Sequence, residues 1–250
     1  MEPLIEHSME LAGRRTRVLE LEGRGPGIVL LHGWGDSADT WRPLLAEIAS
    51  TGRRAIAVDL PGFGHASRLA PGAILPQLDD FAAAVVLEWG GGEPVVVAGN
   101  SLGGAVALRL AEQPDLPLAG VVPVAPAGLE MPGWFDVVER DPIIRRLLDM
   151  PIPVPGALVR AFAGDGVRAQ RLSHPQLPEL ATAPFDFAAV ACPVLLVWGT
   201  RDRMIPHTGA RVVLDALPET RVELIEGCGR CPQLEATGEL LELLLRFPNV

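Results

Sequence analysis

Val95-Val96-Val97-Ala98-Gly99-Asn100-Ser101-Leu102-Gly103-Gly104-Ala105 begins as an apolar strand, breaks at a Gly-X-Ser-X-Gly sequence and restarts as an apolar helix. A serine between two glycines at such a junction is lifted out of the sheet on a sharp turn, because small neighbours let adjacent backbone pass closely. The helix that follows carries Leu102, Val106, Ala107, Leu110 and Ala111 on its apolar positions and ends before Pro114. Ser101 is therefore the candidate nucleophile, and the junction sets the period of the rest of the chain.

Working outward, residues 4–22 alternate as two strands around Ala12-Gly13-Arg14, and Ile28 to Leu31 reads as a buried strand. A helix near 41–50, a strand at 55–60 and a helix near 78–89 lead into the Ser101 junction, and Gly120 to Val124 is the next strand. Between Pro126 and Ala191 prolines at 132, 142, 151, 153, 155, 175, 178 and 184 interrupt short apolar pieces. That stretch reads as an inserted helical lid over 127–191, dividing a core of 1–126 and 192–250. The core resumes with a strand at 194–198, a helix near 208–217, a strand at 221–225 and a terminal helix near 234–247. Alternating strands and helices predict an α/β architecture: a mostly parallel twisted sheet with helices on both faces, and a small lid after the sixth strand.

The 250 residues, 48% of them apolar, suffice for one large core. A net charge of −10 argues against nucleic acid or an anionic membrane as partner, since both demand clustered cations. A small-molecule substrate or ligand is expected instead. The amino terminus has neither a basic region nor an apolar core of a secretory signal, and no apolar run reaches the about 18 to 20 residues of a membrane helix. Cys192, Cys228 and Cys231 form no disulfide framework, so a cytoplasmic location is expected. Cys228-X-X-Cys231 lacks the second pair or the βαβ setting that a zinc site or a redox dithiol requires.

In open parallel sheets, sites form beyond the carboxyl ends of the strands. The residues there are His32-Gly33-Trp34-Gly35, Asp59-Leu60-Pro61-Gly62-Phe63-Gly64, Asn100-Ser101-Leu102 and Gly199-Thr200-Arg201-Asp202. Taken together, in this order and over nearly the whole length, they resemble the α/β-hydrolase fold family. The resemblance implies Ser101 as nucleophile, Asp202 as the acid that orients a histidine, and an oxyanion hole from the backbone N–H groups of Leu102 and Trp34. His32, Asn100, Trp134 and Phe135 are candidate substrate contacts, with His32 also suited to bracing its loop. Asp59 reads as part of a family turn rather than a catalytic acid. Neither a metal nor an organic cofactor is implied.

The resemblance also demands a histidine between the last strand and the last helix, where Gly227-Cys228-Gly229-Arg230-Cys231-Pro232 places an arginine. An arginine is protonated at ordinary pH and has no acceptor nitrogen, so it cannot take the serine proton. In a well-studied protease, loss of a triad member costs about 10⁶ in kcat and leaves about 10³–10⁴ over water. Arg230 is expected instead to form a bidentate ion pair with Asp202. Three readings follow: an impaired serine hydrolase of a small, largely apolar ester or lactone; a non-hydrolytic lyase or cyclase using the same pocket; or an inactive ligand-binding relative. Among the other histidines, His207 lies nearest Asp202 in the chain, and His7, His65 and His174 have no motif behind them.

Overall fold

The computed structural model describes residues 4–129 and 185–247. The expected lid, 127–191, falls mostly outside these residues, and Trp134, Phe135 and His174 lie outside them altogether. Eight strands form one sheet: β1 Ile5–Leu11, β2 Arg14–Leu21, β3 Arg24–Leu31, β4 Arg53–Val58, β5 Val95–Asn100, β6 Leu118–Val124, β7 Leu195–Gly199 and β8 Arg221–Ile225. Their spatial order is β1-β2-β4-β3-β5-β6-β7-β8. β1 pairs antiparallel with β2, and β2 with β4, whereas every later pairing is parallel.

Helices α1 (Arg42–Ala49), α2 (Ile74–Ala84), α3 (Leu102–Ala111), α4 (Ala210–Ala216), α5 (Pro232–Glu235) and α6 (Thr237–Arg246) cover this sheet. Successive strand residues point to opposite faces, so the unbroken apolar runs of β3 and β5 feed two cores at once. Val29, Leu31, Val95 and Val97 pack with residues of α2, α3 and α4, while Ile28, Leu30, Val96 and Ala98 pack with residues of α1 and α6. This doubly covered sheet is the architecture expected from the sequence. No helix among the described residues is long and apolar enough to cross a membrane.

Two helices depart from their expected limits. α2 begins at Ile74 and widens after Ala84 into a π turn over Val85–Trp89, which delivers Trp89 beneath the Arg54 guanidinium and its Nε1–H to Glu20 at 2.6 Å. The terminal helix is broken at Ala236 (φ −143°, ψ 48°), separating the short α5 from α6.

Asp59 is fully buried and every part of it is engaged. Its Oδ1 and Oδ2 accept from Arg17 at 3.2 and 3.0 Å, from Ala38 N at 2.7 Å and from His65 N at 2.8 Å. It thus ties β2 to the turns on either side of it. Arg17 also reaches Asp39 at 2.7 Å. Removing one member of a buried charge set strands the others, so Asp59→Ala is expected to cost about 3–5 kcal/mol, read as a lower urea midpoint at unchanged slope. Burial alone would raise the Asp39 carboxyl, but hydrogen bonds from Arg17 and Arg42 outweigh it and hold the group below the ordinary carboxylate range. A carboxyl depressed in the folded state adds stability that is complete above its unfolded value, about 3.9, and is lost as pH falls through the folded one. Asp39→Asn should accordingly flatten the acid limb of the stability curve.

Candidate active site

Ser101 occupies the single residue between β5 and α3, with φ 55° and ψ −110°. A non-glycine residue in that region carries about 1–3 kcal/mol of strain, so surrounding contacts must hold it. They do: Ser101 N donates to Val124 O at 2.9 Å, and Ser101 O accepts from Ala105 N and Ala127 N at 3.0 Å. The turn closes only because position 103 lacks a side chain, since a Cβ there would lie 2.2 Å from the carbonyl oxygen of Leu31 in β3.

On one side of the serine runs the loop that follows β3. A Cβ on Gly33 would lie 3.4 Å from Ser101 Cβ, so the loop passes directly against the nucleophile position. His32 is fully buried and braces this loop: its Nε2 accepts from Leu60 N at 2.9 Å, which leaves Nδ1 to donate to Gly33 O at 2.7 Å. Phe63 meets the ring edge-on at 5.7 Å. The backbone N–H groups of Trp34 and Leu102 have no acceptor among the described residues. The indole Nε1–H of Trp34 is likewise buried without a partner.

On the other side are the ends of β7 and β8. Asp202 follows β7 with its side chain fully buried; Oδ1 accepts from Met204 N at 2.8 Å and Ile205 N at 3.0 Å, leaving Oδ2 for another donor. That donor is Arg230, whose Nη1 lies 3.1 Å away. The Nη2 of the same guanidinium donates to Ser101 Oγ. The bidentate pairing expected with Asp202 is thus replaced by one bond to the acid and one to the serine. Arg230 spans the two partners as an imidazole's two nitrogens would, but it offers protons to both.

Several contacts that the sequence does not advertise hold Arg230 there. Asn100 Nδ2 donates to Arg230 O at 3.0 Å and to Val124 O at 3.3 Å, linking the serine turn to the last loop. The Glu235 carboxylate accepts from Gly229 N at 2.9 Å and Cys231 N at 3.0 Å. The loop crosses so near β7 that a Cβ on Gly199 would lie 2.1 Å from Gly229 O. Cys228 and Cys231 are free thiols, both pushed up to about 11, chiefly by burial. Among the described residues no cluster of three potential ligands could hold a metal, and no imidazole bonds to Ser101.

A strained serine at a strand-to-helix turn, facing a buried aspartate across the carboxyl ends of a parallel sheet, defines the α/β-hydrolase class of protein. The chain belongs to the alpha/beta hydrolase family, whose match runs over residues 28–243. It is 29% identical to a pimeloyl-[acyl-carrier protein] methyl ester esterase of Xanthomonas campestris pv. campestris, over 92% of this chain and 97% of that one. It is also 29% identical to the dihydrolipoyllysine-residue acetyltransferase component of an acetoin cleaving system of Pseudomonas putida, over 95% of this chain and 68% of that one. Among solved structures, a bacterial membrane phospholipase A shares the fold with a TM-score of 0.78 at 24% identity, covering 98% of this chain and 86% of its own.

Proposed function

We propose that this chain is a serine hydrolase of the ester type, acting on a small, largely apolar ester or lactone through Ser101 and held to slow turnover by Arg230. The carrying observation is the guanidinium joined at once to Asp202 Oδ2 and Ser101 Oγ. Ser101 Oγ attacks the acyl carbon, and the N–H groups of Leu102 and Trp34 receive the charge that develops on the carbonyl oxygen. Those donors cost no reorganisation, because they are already fixed by the backbone and have no acceptor among the described residues. The proton on Oγ has no such provision: Arg230 only donates, so water must take it. Binding and oxyanion stabilisation then remain, worth about 10³–10⁴ over the uncatalysed rate. An esterase among the relatives supports the ester class.

The test is p-nitrophenyl butyrate turnover by the parent chain and by Ser101→Ala. Slow turnover that disappears with the serine hydroxyl is the expected result, together with slow labelling of the parent by a fluorophosphonate. Equal rates in parent and variant would overturn the proposal.

A further inference from the structure

The guanidinium beside Ser101 has more donors than its partners use. Arginine carries five N–H groups, of which one goes to Asp202 and one to Ser101. The other three have no acceptor among the described residues, and the side chain is 20% exposed at a place where Asp202 is fully buried. Asp202 takes only a single bond from it and is already satisfied by two backbone N–H groups on its other oxygen. The cation is therefore anchored on one side and unspent on the other.

We infer that the site formed by Arg230 and the N–H groups of Leu102 and Trp34 is a receptor for a small carboxylate, selected by Arg230 over the neutral ester or amide of the same shape. One carboxylate oxygen sits on the N–H groups of Leu102 and Trp34, and the other on the free N–H groups of Arg230. Each oxygen then finds donors, and hydrogen bonds from a cationic guanidinium to an anionic oxygen are stronger than those to a neutral carbonyl. An ester offers the same site one carbonyl oxygen and no charge. The carboxylate is also what ester hydrolysis releases, so the arginine favours the product acid and retards its departure. The inference rests on the same residues as the proposed hydrolysis but not on turnover.

Calorimetry with hexanoate and its neutral isostere hexanamide on the intact chain tests it at low ionic strength. Hexanoate should bind the parent at least about tenfold more tightly, and the difference should shrink in 0.5 M salt, a concentration of about three times physiological ionic strength. Arg230→Gln should abolish the preference and Arg230→Lys retain part of it, with thermal melts confirming that both fold. Equal affinities, no binding of hexanoate to the parent, or a preference that survives Arg230→Gln would overturn the inference. The parent comparison needs no variant, so a misfolded substitution leaves the test intact. Ser101-dependent ester turnover without an acid preference would refute this inference alone, whereas an acid preference without such turnover would refute the proposed hydrolysis alone.

Discussion

Arg230→His is expected to raise p-nitrophenyl butyrate turnover by about 10²–10⁴-fold, the contribution of a positioned general base. The slot is already built. Asp202 Oδ2 faces position 230, Ser101 Oγ lies on the far side of that side chain, and Asn100 and Glu235 hold the backbone on both flanks. A neutral imidazole there accepts the Ser101 proton through one nitrogen and donates through the other to Asp202, which fixes its tautomer. The gain should vanish when Ser101→Ala is added. A correctly folded histidine variant that turns over no faster than the parent would show that position 230 does not serve the serine.

The second large effect concerns folding. Gly103→Ala places a methyl group 2.2 Å from the Leu31 carbonyl oxygen, and the obstructing atom is backbone of a central strand rather than the tip of a flexible side chain. Relief requires separating α3 from β3, which pulls on Ser101 and on the Gly103 N to His32 O bond of 3.1 Å. A loss of about 4 kcal/mol or more is expected, a large share of the about 5–15 kcal/mol that a domain possesses. Gly238→Ala is the matched control: nothing lies within 4 Å of its added Cβ, and it sits inside α6. It should be neutral or stabilise by up to about 1 kcal/mol. Equal urea midpoints for the two variants would contradict the packing described for the turn.

The parts of this molecule legible in the sequence are those set by local pattern. Strands buried on both faces announce themselves as unbroken apolar runs, and the Gly-X-Ser-X-Gly junction marks the turn at Ser101 because only small residues fit there. The order of motifs predicts Asp202 and Arg230 in the loops after the last two strands, and these loops follow β7 and β8 at the carboxyl end of the sheet. What escaped depends on partners distant in the chain. Asn100 bonds to a carbonyl 130 residues away, and nothing in either segment signals it. The last loop crosses β7 so closely that a Cβ on Gly199 would lie 2.1 Å from Gly229 O, an approach between segments 30 residues apart that neither one signals. The expected bidentate pair failed for a similar reason: Asp202 already spends Oδ1 on the turn that follows it, and Ser101 lies within reach of the second nitrogen.

Position 230 lies between Asp202 and Ser101, where a base would stand. Ester turnover by Arg230→His with and without Asp202→Asn, compared with the same pair on the parent background, tests that placement. The asparagine should cost the histidine variant up to about 10⁴-fold, through loss of the tautomer and orientation that the acid imposes, and should leave the slow parent rate nearly unchanged. An equal effect of Asp202→Asn on both backgrounds would contradict that placement.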